Sequence, residues 1–95
     1  MAIEEVCGRI DGSASRMIED LRRLVRQPSI SAQGVGLREC AILVRGMMVG
    51  AGIRAELMEV EGAPPYVYGE MRSGKPGGRR TVIFYNHYDV QPPEP

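Results

Sequence analysis

Thr81-Val82-Ile83-Phe84-Tyr85 is an unbroken β-branched and aromatic run between Arg80 and Asn86. A strand with one wet face alternates apolar and polar residues, whereas a run that is apolar on both sides reads as a strand covered on both faces. That demand is heavy for a chain of 95 residues. A domain of this size buries only about 60–65% of the surface its unfolded chain exposes, so its core is thin. In an isolated chain of this size the run predicts exposed apolar surface, and with it dimerisation, strand exchange or aggregation.

The helices come first. Ile3, Val6, Cys7, Ile10, Ala14, Met17, Ile18, Leu21, Leu24 and Val25 recur at three- and four-residue steps and form one apolar stripe. Gly8 and Gly12 weaken the early part, and Asp11 or Ser13 can cap a restart, so either one helix or two short ones fit. Pro28 ends this stretch, because the residue before proline leaves the helical region. Residues 28–34 read as a loop. A second helix is predicted over roughly Leu37 to Ala51, with Gly52 as the left-handed residue past its end.

From Ile53 the period shortens. Arg54 to Val60 and Tyr66 to Met71 read as strands, joined by a turn at Gly62-Ala63-Pro64-Pro65. Residues 72–79 form a longer exposed turn, and Thr81–Tyr85 is the third strand. The predicted fold is α/β: two helices followed by the first three strands of a mixed sheet, in a single unit spanning residues 1–95.

Composition removes several function classes. Lys+Arg and Asp+Glu each total 12, a formal net charge of zero, which argues against a general nucleic-acid binder. Nothing approaches the 18 apolar residues of a membrane span. The start Met1-Ala2-Ile3-Glu4-Glu5 lacks the pattern of a signal peptide, so a cytoplasmic protein is expected. Cys7 and Cys40 match no disulfide or zinc pattern and are expected as buried thiols.

Three motifs reduce to structure. Gly69 to Pro76 nearly spells a phosphate-binding loop, but Pro76 stands where a metal-ligating hydroxyl is needed and glycines follow where a helix should begin. It reads as a turn. Arg22, Arg23 and Arg26 read as a solvated helix face beside Glu19 and Asp20. Met47 and Met48 fall at helical spacing and read as core filler.

The segment Asn86-His87-Tyr88-Asp89-Val90-Gln91-Pro92-Pro93 is different. His87 is the only histidine, and in extended backbone Asp89 projects from the same face, about 6.5–7 Å along. An imidazole there can face a metal through one nitrogen while the carboxylate holds the other. The place also suits chemistry, since open α/β sheets bind ligands beyond the carboxyl ends of their strands.

This segment resembles the H-x-D-V-Q-P stretch of the M20 family of zinc metallopeptidases, which includes carboxypeptidases, dipeptidases and deacylases of N-acylated amino acids. The opening helix, Arg26-Gln27-Pro28-Ser29-Ile30-Ser31, a second helix ending at Gly50-Ala51-Gly52 and a pair of strands are also similar to the start of that family. Val-Gln-Pro-Pro is most similar to its dipeptidase-like branch, while Asn86 departs from the glycine commoner there. The resemblance implies that His87 is a metal ligand and that Asp89 orients it at the catalytic centre. It implies two zinc ions bridged by a carboxylate and a water, a glutamate general base, and a small peptide or N-acyl amino acid as substrate. The remaining ligands and the base fall after Pro95 in the family order. The expectation is an N-terminal fragment of a metallopeptidase catalytic domain, inactive alone. The alternative is a non-catalytic remnant or interaction subunit, a homo-oligomer or one half of a complementing pair, joined through an exposed sheet edge.

Overall fold

Ser13 splits the N-terminal helical period into two helices, α1 (Ile3–Gly12) and α2 (Ala14–Arg26), in a computed structural model that describes residues 2–77 and 80–94. Ser13 occupies the capping position of α2, but its side chain makes no capping hydrogen bond. Gln27 turns extended (φ −78°, ψ 117°) ahead of Pro28, as the proline requires. A single 3₁₀ turn at Ser31–Gln33 interrupts the following loop, and α3 runs over Leu37–Gly50. Gly52 (φ 84°) takes the left-handed conformation past the end of α3.

Strands β1 (Arg54–Val60) and β2 (Ala63–Glu70) pair antiparallel, with Leu57 opposite Val67 and Met58 opposite Tyr66. The turn is tighter than the predicted Gly62–Pro65: Val60 pairs with Ala63, and Gly62 (φ 75°) lets the chain reverse. The register shifts between Met58 and Val60, so Glu59 alone faces Pro64 and Pro65. Prolines cannot donate to a ladder, and a bulge on a strand with a free edge is where a sheet tolerates them.

Helix α3 covers one face of this hairpin. Cys40 and Ala41 of α3 and Ala55 of β1 are buried. Arg45 Nε donates to the Ala55 carbonyl at 3.1 Å, and the Arg38 guanidinium forks onto Glu59 at 2.9 and 2.6 Å. A Cβ on Gly69 would lie 2.8 Å from Met48 Cε and 3.1 Å from Ile53 Cγ2, so the Met48 side chain of α3 packs directly on the strand there.

The fold is thus a small α/β arrangement of three helices and, among the described residues, a two-stranded antiparallel sheet. Two expectations change, the third strand and the burial of Cys7. Thr81–Tyr85 joins no strand, because a strand needs a neighbouring backbone as well as strand-forming residues, and among the described residues none pairs with it. The α1–α2 stripe is largely open, with Leu21 59% and Val25 75% exposed. Cys7, on that stripe, is exposed rather than buried, while Cys40 is buried as expected. Arg22 and Arg26 both reach Glu19, and Arg23 reaches Asp20, consistent with a solvated helix face. After Glu70 the chain leaves the sheet for a turn in which the Lys75 N–H donates to Ser73 Oγ at 3.2 Å. Met1, the Gly78-Arg79 end of that turn and Pro95 lie outside the described residues. Among those described, no helix is long and apolar enough to cross a membrane.

Candidate functional site

The loop between α2 and α3 is a clamp. The Ile30 N–H donates to the Val35 carbonyl at 2.8 Å, and the Val35 N–H returns the bond to Ile30 at 3.1 Å, pinching off the 3₁₀ turn between them. Gly34 (φ 66°) and Gly36 (φ 72°) take left-handed conformations that the reversal requires. Gly36 also lies hard against the Pro28 carbonyl, leaving no space for a Cβ.

This clamp holds the segment that follows the apolar run. The Val90 N–H donates to the carbonyl of buried Ser29 at 2.9 Å, and Ile30 and Val90 form a parallel bridge. Tyr88 donates its hydroxyl to the Pro65 carbonyl on β2 at 2.7 Å, and Cys40 Sγ lies 3.9 Å from the Tyr88 carbonyl. Burial lifts the Tyr88 hydroxyl above its ordinary pKa, so it stays a donor. Residues 88–90 are therefore tied to the loop, to α3 and to β2 at once.

His87 and Asp89 meet on this anchored stretch. His87 Nδ1 lies 3.0 Å from Asp89 Oδ1 and 3.0 Å from the Asp89 carbonyl oxygen. Both neighbours are acceptors, so neutral His87 carries its proton on Nδ1 and keeps the Nε2 lone pair for a ligand. The side chain is 78% exposed, open to approach from solvent. Asp89 is held in turn: Ser31 Oγ donates to its Oδ2 at 2.6 Å. The Ser31 hydroxyl first, and His87 after it, keep the Asp89 carboxyl below the usual carboxylate range.

The relay runs Ser31–Asp89–His87. Sequence spacing brings together the last two; it misses Ser31, which is 58 positions from Asp89. The only signal is that Ser31 closes the Pro28–Ser31 stretch, and nothing local ties that loop to the far end of the chain.

As a metal site the donors are one imidazole with an oriented carboxylate behind it, the arrangement that fixes tautomer and basicity in metal-ligating histidines. Among the described residues no three His, Cys, Asp or Glu side chains gather to hold an ion. A catalytic zinc takes three protein ligands and an open position. The described residues fit one ligand of such a site. Compared with protein families, with curated proteins and with solved structures, this chain matches none.

Proposed function

We propose that this chain contributes the first metal-ligating segment of an M20-like, zinc-dependent hydrolase acting on the peptide or N-acyl amide bond of a dipeptide or acyl-amino-acid substrate. The Ser31–Asp89–His87 relay carries this reading, because it gives His87 one defined tautomer and one free nitrogen. In the complete enzyme His87 ligates zinc through Nε2, Asp89 holds the Nδ1 proton, and Ser31 keeps Asp89 ionised and aimed. Zinc bound there polarises the scissile carbonyl and lowers the pKa of a water. Among the described residues no further ligands gather beside His87, so a working centre of this kind needs additional ligands and a general base.

His87, as the only histidine, makes the test direct. Zinc is titrated into the labelled chain while the imidazole resonances are followed by NMR. The His87 ring is expected to shift with the Nδ1 proton retained, and His87→Ala abolishes the response. Asp89→Asn is expected to weaken zinc affinity about 10–100-fold. Zinc uptake that leaves the His87 ring unmoved overturns the reading.

A second reading, a non-catalytic interaction subunit, draws its support from the open apolar segment that precedes His87. Val82 to Tyr85 are 74–88% exposed, which favours a role in pairing with another polypeptide.

A further inference from the structure

A chain of 10.4 kDa that closes fully on itself exposes about 5,400 Å². This one exposes 8362 Å², about 3,000 Å² more. Its radius of gyration is 16.1 Å, against about 12.4 Å for a compact chain of the same length. An interface of standard size removes about 800 Å² from each partner. The surplus here covers such an interface several times over.

The surplus has one conspicuous centre. Val82, Ile83, Phe84 and Tyr85 are 74, 86, 87 and 88% exposed. On their C-terminal side they lead into Tyr88 and Val90, which are bonded to Pro65 and Ser29. The hairpin's own edges are poor receivers. Pro64 and Pro65 blunt β2, and β1 carries Arg54, Glu56 and Glu59.

We infer that Thr81–Tyr85 pairs with the same segment of a second copy, antiparallel across a two-fold axis centred on Ile83. In that register Ile83 faces Ile83, Val82 faces Phe84 and Thr81 faces Tyr85, so each cross-strand pair joins β-branched or aromatic side chains. Arg80 falls opposite Asn86, and no like charges meet. The two backbones satisfy each other's hydrogen bonds, which the segment does not make among the described residues of one copy. The contact uses the same patch on both chains and closes at two. A formal net charge of zero leaves no long-range repulsion between copies. None of this depends on the zinc reading.

The test is sedimentation velocity on the full chain over a concentration series, followed by cross-linking. The mass is expected to rise from 10.4 kDa to twice that, and Ile83→Lys is expected to remain monomeric at every concentration, with the circular dichroism of the dilute unsubstituted chain. In a Cys7→Ser background, which removes the exposed thiol, Ile83→Cys should form a disulfide-linked dimer on mild oxidation. Val82→Cys should not, because equivalent residues one step off the axis lie more than about 7 Å apart at Cα. A chain that stays monomeric, a dimer that survives Ile83→Lys, or equal cross-linking of the two cysteine variants each overturns the inference. Association with another protein while the chain itself remains monomeric also overturns it.

Discussion

The hairpin and the segment Thr81–Tyr85 make opposite use of their residues. Strand β2 contains two prolines and a glycine, all poor strand formers, yet it is a strand. Thr81–Tyr85 contains only residues that favour strands, yet it is not one. The hairpin has what the segment lacks. Gly62 returns the chain onto β1, and α3 covers the face that carries Ala55. Among the described residues no strand pairs with Thr81–Tyr85, and Val82 to Tyr85 are largely uncovered. Backbone pairing and a covered face outweigh intrinsic preference, and the hairpin that has both also accepts the Tyr88 hydroxyl at Pro65, next to His87.

The largest break in that contrast should come at Gly36. Gly36→Ala puts a Cβ into the Pro28 carbonyl at a left-handed position, and is expected to cost about 2–5 kcal/mol in urea unfolding. Gly34→Ala is the control. It is also left-handed but has open space around it, so only the conformational cost of about 1–2 kcal/mol applies. Equal losses at the two positions would mean that the clamp is not built on the Pro28 approach.

Next is the covered face. Ala41 is wholly buried on α3, and Ala41→Leu forces extra carbons into the filled space there. A loss of about 1–3 kcal/mol is expected, read from the same urea midpoints. A neutral result would show that α3 sits loosely on the hairpin.

These two sites also mark what could be read from the sequence. The span of α3, the position of β1 and the left-handed Gly52 follow from period and residue type, because the interactions that form them are local. The His87–Asp89 contact is legible for the same reason, being two residues apart. Ser31 is not, since its bond to Asp89 requires the clamp to close on the far end of the chain. Thr81–Tyr85 misleads because its pattern reports the cover a strand needs, and the pattern holds whether or not that cover is present. The α1–α2 stripe misleads in the same way: its spacing defines a face but not what the face meets.

Acid tests the clamp from the site side. The folded chain holds Asp89 below its unfolded carboxylate value through Ser31 and then His87, and holds Glu59 low through Arg38. A lowered folded pKa adds stability that is present above the unfolded value and is lost as pH falls through the folded one. Stability should therefore decline on acidification below the ordinary carboxylate range. Ser31→Ala should move the Asp89 titration upward, measured by carboxyl-carbon NMR, and leave that of Glu59 in place. An Asp89 midpoint indifferent to Ser31 would remove the serine from the relay.

The smallest effect is the sharpest discriminator. Phe84 is a large aromatic side chain, and truncating a buried one costs about 3–5 kcal/mol. Here it is 87% exposed, so Phe84→Ala at chain concentrations too low for association should change stability by less than about 0.5 kcal/mol. Raising the concentration should separate the two proteins, because truncation removes the Val82–Phe84 cross-strand pairs from the proposed dimer while the single chain never used them. A loss of several kcal/mol at the lowest concentration would instead mean that the segment packs within its own chain, and the contrast with the hairpin would fail.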